Sequence, residues 1–321
     1  MKCCCWSMRL SEPTVSLTHL LGLEGVSAAD IRVLLDTGFT FREVLERPIK
    51  KVPTLTGINV VNLFFENSTR TRISFELAEK RLSADVTNFS AEGSSLGKGE
   101  GLKDTVRNIH AMKMDAVVMR HPVPGAAVQL SRFVDAVVIN AGDGSHEHPT
   151  QALLDMMSLE ERFGHLKGLK LGIIGDIAHS RVALSNIFGL LTMGAEVAVC
   201  GPGHLIPPHM EALGVSVETD VDDLLAWADA VNVLRIQRER MGTGLIPSVR
   251  EYRAGFGLTN ERLARHKREI IILHPGPINR GVEIDSDVAD SDQAIILDQV
   301  LNGVAVRMSI LYHLLGPRAA G

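Results

Sequence analysis

Short apolar runs rich in β-branched residues recur along almost the whole chain of 321 residues, and segments of helical periodicity separate them. Residues 59–65, 85–89, 116–119 and 136–140 form one series of such runs. Residues 170–174, 196–199, 215–218, 230–234 and 270–273 form a second. Between them lie amphipathic segments such as 102–112, 126–133 and 181–193. A strand that is apolar on both faces must be covered on both. A helix between consecutive strands is the crossover that parallel pairing requires. Each series therefore predicts one doubly wound α/β domain with a parallel sheet. Residues 149–163, with Pro149 at the first helical position, predict the helix that joins the domains. Ile295, Ile296, Val300, Val304, Met308, Leu311 and Leu315 predict a last helix over 292–315 that packs back on the first domain. The expected division is 1–148 and 149–291, with 292–321 returning to the first.

Bulk properties exclude several classes. The net charge is −5, so nothing marks the chain as a general nucleic-acid binder. No apolar run approaches the roughly 20 residues of a membrane span. The cysteines are Cys3, Cys4, Cys5 and Cys200, which make neither a disulfide framework nor a CxxC pair, and a reducing cytoplasm fits them. Residues 1–7 make a poor signal peptide and read as a disordered arm, with Met8 an alternative start. There is no HExxH and no Asp/Glu cluster obvious as a metal site, and His146-x-His148 is no zinc motif, so neither a metal nor a cofactor is expected.

The chemistry begins at Phe64-Phe65-Glu66-Asn67-Ser68-Thr69-Arg70-Thr71-Arg72, where the first strand ends and helical periodicity starts at once. Such a turn leaves free N–H groups at the positive end of a helix dipole. Three hydroxyls and two arginines complete an anion pocket suited to phosphate, without the glycines and lysine of a nucleotide P-loop. An ordinary capped helix with exposed arginines is the plainer alternative. In parallel sheets ligands sit beyond the carboxyl ends of strands. Other polar clusters occupy those positions: Ser94 to Glu100, Arg120-His121-Pro122, Gly142 to Gln151, Asp176 to Arg181, Arg235-Ile236-Gln237 and His274-Pro275-Gly276-Pro277. Arg70, Lys98, Arg120, Arg181 and Arg235 are too many cations for one monoanion and suit a phosphate plus a dicarboxylate. Singly, each has a structural alternative. His148 fits a helix-terminal histidine, Arg235 fits an i,i+4 pair with Glu239, and Gly172-x-x-Gly175-Asp176 is an incomplete dinucleotide fingerprint.

Together Ser68-Thr69-Arg70-Thr71-Arg72, Arg120-His121-Pro122 and His148-Pro149-Thr150-Gln151 resemble the signatures of the carbamoyltransferase family, over roughly residues 17–315. Ser94 with Lys98-Gly99-Glu100, Arg235 to Arg240, and His274 to Arg280 resemble the branch of that family acting on aspartate. The ornithine enzymes carry a cysteine-containing segment where His274–Pro277 stands. The resemblance implies carbamoyl transfer from carbamoyl phosphate to the amine of L-aspartate in pyrimidine synthesis. By motif it implies carbamoyl-phosphate binding by Ser68, Thr69, Arg70, Thr71, Arg120, His148, Gln151, Gly276 and Pro277. Arg70, Thr71, Arg120 and His148 would be catalytic, and Lys98, Arg181, Arg235 and Gln237 would bind aspartate. Gly276 stands where some relatives carry leucine or alanine, which should leave a backbone contact intact. The resemblance also implies a homotrimer, or a dimer of trimers, in which Ser94 and Lys98 serve the neighbouring subunit's site. A regulatory chain or a dihydroorotase are possible partners. The competing readings are a carbamoyltransferase for ornithine or N-acetylated ornithine, a non-catalytic scaffold and a nucleotide-dependent oxidoreductase.

Overall fold

The structure, a computed structural model, describes residues 14–90, 107–108, 111–236, 248–266 and 268–319. Strands β1 (Asn59–Phe64), β2 (Asp85–Ser90), β3 (Ala116–His121) and β4 (Val137–Asp143) form a four-stranded sheet in the order β2-β1-β3-β4. Strands β5 (Lys170–Ile174), β6 (Glu196–Cys200), β7 (Ser216–Glu218), β8 (Ala230–Val233) and β9 (Ile271–Leu273) form a five-stranded sheet in the order β7-β6-β5-β8-β9. Every pairing in both is parallel. The strands alternate faces residue by residue. Val60, Val118 and Ile139 enter the large shared core, while Val61, Val117 and Val138 enter a separate cluster on the opposite face. Both faces of each sheet are thus buried, as the apolar runs require.

Helices α1 (Ala28–Glu46), α2 (Thr69–Arg81), α3 (Ala126–Ser131), α4 (Pro149–Phe163), α5 (Arg181–Thr192), α6 (Val221–Trp227), α7 (Val249–Phe256) and α8 (Ile296–Ala319) cover the sheets. The joining helix α4 is buried along Pro149–Leu159 because α5 packs on one side of it and α8 on another. Helix α8 packs on α1: the Ser309 hydroxyl donates to the Leu34 carbonyl at 2.7 Å. It starts at Ile296, four residues after the expected 292. The Ile272 and Ile295 N–H groups donate to the Gln293 and Ile272 carbonyls (2.8 and 3.0 Å), so 293–295 lies as a short extended edge against β9. Ile295, counted toward the helical stripe, belongs to that edge. The expected helix 102–112 falls mostly outside the described residues. The broken glycine fingerprint has a packing explanation: a Cβ at Gly172 would lie 2.8 Å from Leu224, so the glycine lets α6 close on the sheet. Among the described residues no helix is long and apolar enough to cross a membrane.

The chain order reverses between β1 and β3 in one sheet and between β5 and β8 in the other. Such switch points open a crevice at the carboxyl ends of the strands.

Candidate active site

Both crevices open into one cleft of about 470 Å³. The first half and the start of the joining helix contribute Ser68, Thr69, Arg70 and Thr71 at the start of α2, Arg120 at the end of β3, and His148 and Gln151 at the start of α4. The second half contributes Arg181 at the start of α5, Arg235 after β8, and Pro275, Gly276 and Pro277 after β9. Every expected site residue lines the cleft except Ser94, Lys98 and Gln237, which lie outside the described residues. Arg72, the second arginine of the motif, is exposed and is not part of the lining.

Ser68 is the N-cap of α2, and its side chain makes no capping bond. Its hydroxyl and the N–H groups of the first turn therefore face one place with positive potential. Arg70 lies beside this turn. Desolvation and the Arg235 charge lower its pKa from the usual arginine value, yet it stays cationic at neutral pH. A Cβ at Gly276 would fall on the Arg70 guanidinium. The missing side chain at 276 is thus the space Arg70 occupies, a consequence beyond the intact backbone contact expected from sequence.

Arg120 and Arg181 approach each other through a carboxylate. Glu66 accepts from Arg181 Nη2 at 2.8 Å and sits 3.4 Å from Arg120 Nε. Arg120 Nη1 also donates to the Ala141 carbonyl at 3.2 Å. Gly142, at φ +113°, makes room: a Cβ there would lie 3.0 Å from Arg181 Nε and 3.2 Å from Arg120 Nη1.

His148 is buried at the N-cap of α4. Its backbone N–H donates to Ser185 Oγ at 2.8 Å, and Ser185 Oγ donates to Glu147 at 2.7 Å. Its Nδ1 has no hydrogen-bond partner among the described residues. Burial, then the charges of Arg120, Arg181 and Arg307, hold its pKa well below the ordinary value. The imidazole is therefore neutral near pH 7, suited to polarising a carbonyl by hydrogen bonding rather than by carrying charge.

The turn after β9 is fixed from behind. The His274 N–H donates to Gln299 Oε1 at 3.0 Å, and His274 Nδ1 accepts the Gly276 N–H at 2.8 Å. That acceptor role puts the ring proton on Nε2, which donates to Glu283 at 3.2 Å. Pro275 and Pro277 have no N–H, and that of Gly276 is engaged. Residues 275–277 can offer the cleft only carbonyl acceptors.

Sequence reading missed Glu66, Asp155 and Arg307 as site components. Glu66 stands inside the quoted motif, which was its one available signal. Arg307 is a buried charge on an otherwise apolar stretch of α8. It donates to Ser74 Oγ (2.8 Å), Gly303 O (3.0 Å) and Thr150 Oγ1 (3.3 Å) and stacks 5.0 Å over Phe75. Burial pulls its pKa down to about 10. Among the described residues no group of three or more His, Cys, Asp or Glu is arranged to hold a metal ion.

Residues 18–161 match the carbamoyl-phosphate-binding domain of the aspartate/ornithine carbamoyltransferases, and residues 167–314 match their aspartate/ornithine-binding domain. The chain belongs to the aspartate/ornithine carbamoyltransferase family. Among its carbamoyltransferase relatives, the aspartate carbamoyltransferase catalytic subunit of Christiangramia forsetii is 62% identical over 300 residues, covering 94% of this chain and 97% of that one. The solved catalytic subunit of M. jannaschii aspartate transcarbamoylase superposes with a TM-score of 0.82 at 34% identity, over 95% of this chain and all of the other (100%). The Trypanosoma cruzi aspartate transcarbamoylase, solved in complex with N-(phosphonacetyl)-L-aspartic acid, superposes with a TM-score of 0.83 at 28% identity, over 95% and 99% of the two chains. The carbamoyltransferase fold is therefore the fold of this chain, with its two parallel sheets and the cleft between them.

Proposed function

We propose that this chain transfers the carbamoyl group of carbamoyl phosphate to the amine of L-aspartate, giving N-carbamoyl-L-aspartate and phosphate, the committed chemistry of pyrimidine synthesis. The observation that carries the reading is the gathering of Arg70 and Arg120 from one half with Arg181 and Arg235 from the other around one cleft, with no Asp or Glu among its described lining residues. Ornithine, with its side-chain ammonium, needs an acidic partner there. Aspartate, with a second carboxylate, needs arginine.

The roles follow from the chemistry of each group. The start of α2, with Ser68, Thr69 and Thr71, and the Arg70 guanidinium receive the phosphate. Thr71, Arg120 and neutral His148 converge on the carbamoyl oxygen. The carbamoyl NH₂ needs acceptors and finds Gln151 and the carbonyls of 275–277. Arg181 and Arg235, joined by Gln237 and Lys98, take the carboxylates of aspartate. The neutral amine attacks the carbamoyl carbon, and the C=O electrons move to oxygen. The oxyanion is met by preorganised donors, each worth ~3 kcal/mol. On collapse the C–O bond to phosphate breaks, and the leaving phosphate takes the amine proton. No protein base is required. Residues 1–148 with α8 form the carbamoyl-phosphate half, and 149–291 the aspartate half. The enzyme acts in the cytoplasm as a homotrimer or dimer of trimers, with Ser94 and Lys98 reaching a neighbouring site.

Assay of the purified chain with carbamoyl phosphate and each amino acid tests the reading. Carbamoyl-aspartate should form and citrulline should not. Turnover of ornithine alone overturns it.

A further inference from the structure

Asp155 is buried on α4, one turn beyond Gln151, and touches none of the reactants assigned above. Its carboxylate accepts four side-chain amides. Oδ1 takes Gln151 Nε2 at 2.9 Å and Gln299 Nε2 at 2.7 Å. Oδ2 takes Asn186 Nδ2 at 2.8 Å and Asn232 Nδ2 at 3.1 Å. The donors come from α4, α8, α5 and β8. An ionised carboxylate only accepts, and four bonds fill its two oxygens. Burial pushes its pKa up to about 6 against the pull of these bonds, which leaves it ionised at neutral pH.

An acceptor-only hub dictates which way each amide points. Gln151 must turn its NH₂ toward Asp155, so its Oε1, which accepts nothing from the described residues, is left to the cleft that Gln151 lines. Gln299 must likewise turn its NH₂ inward, so its Oε1 faces the His274 N–H and pins the turn whose only offerings are carbonyls. One buried charge thereby sets two sources of acceptors around one subsite. A group with N–H donors satisfies them, whereas a methyl group leaves buried acceptors unpaired, which is how a polar site rejects an isostere.

We propose that Asp155 is a positioning residue for substrate specificity: by fixing the Gln151 amide and the 274–277 turn, it makes the cleft select an amino-acyl (carbamoyl) phosphate over the methyl analogue, acetyl phosphate. The proposal rests on the carbamoyl reading above.

The test uses Asp155→Asn, which keeps the shape but places an NH₂ against donors and so forces an amide to flip. The readout is the ratio of the inhibition constant of acetyl phosphate to the KM of carbamoyl phosphate, with inhibition by inorganic phosphate as the internal standard. The ratio should fall about tenfold or more while the phosphate constant stays within about twofold. A merely structural role would weaken all three ligands in parallel, and that result overturns the proposal. Should Asp155→Asn not fold, Gln299→Leu removes one arm of the hub and should lower the same ratio; an unchanged ratio overturns the proposal. Gln151→Met separates the two levels of the argument. If it lowers the ratio while the Asp155 variant does not, the hub role fails and the carbamoyl reading stands. If it leaves the ratio unchanged, the carbamoyl subsite is misassigned and the proposal falls with it.

Discussion

The two sides of the cleft present their positive charge by different means. On the α2 side the binding groups are contiguous in sequence: Ser68, Thr69, Arg70 and Thr71 share one helix start, and backbone N–H groups supply part of the field. On the opposite side Arg181 and Arg235 come from separate strand ends, and Arg181 is held by Glu66, which belongs to the first half. One subsite is built by local geometry, and the other is assembled across the cleft. The difference teaches where each should fail. The first loses affinity when its own residues go, whereas the second is also sensitive to a residue of the other half.

The sharpest break is Arg70→Ala. It removes a guanidinium that lines the cleft beside the start of α2 and, on the proposed roles, leaves the phosphate without its counter-charge. A loss on the order of 10³-fold in kcat/KM for carbamoyl phosphate is expected, read by steady-state kinetics. Mixing this variant with an inactive Lys98→Ala chain under subunit exchange should restore part of the activity, since a shared site needs one intact copy of each residue. No recovery contradicts sharing.

Glu66→Gln probes the assembled side. Arg120 loses the longer 3.4 Å contact but keeps its bond to the Ala141 carbonyl, while buried Arg181 loses its 2.8 Å charge partner. The KM for aspartate should rise about tenfold, with less than about threefold change for carbamoyl phosphate. Equal effects on both would erase the distinction between the subsites.

The same contrast explains what could be read in advance. Strands β1 to β9 fall within a few residues of the apolar runs, because a doubly buried parallel strand has little choice of composition. The α2 subsite was legible because its groups are neighbours in sequence. The second-half arginines were legible only as polar residues at strand ends, and the fold was needed to bring them together. Asp155 was not legible at all. It stands in Leu154-Asp155-Met156, and its amide partners on α5, β8 and α8 lie 31, 77 and 144 residues away. No local pattern encodes a hub closed by three crossovers. Helix α8 was started early because an apolar residue at 295 fits an extended edge as well as a helical stripe.

The smallest effect concerns what lies beneath the α2 subsite. Glu79 of α2 is buried and accepts Asn62 Nδ2 of β1 at 2.9 Å, and burial raises its pKa to about 8. Here the carboxyl is mostly protonated near neutrality, in contrast to the ionised Asp155 beneath Gln151. In the unfolded chain Glu79 titrates near 4.5, so between there and pH 8 the folded state binds more protons. Stability from this group is complete below the unfolded value and is lost as pH rises through about 8. The buried histidines have the opposite sign: His148 and His274, their pKa values lowered mainly by burial, favour folding as pH rises toward 6.5 and change nothing above it. Between pH 6.5 and 9 Glu79 is therefore the group to watch. Tm should fall by a few degrees across that range, from a loss of about 1–2 kcal/mol, and Glu79→Gln should flatten the slope. An undiminished slope in the variant would show that the floor under α2 is indifferent to this proton.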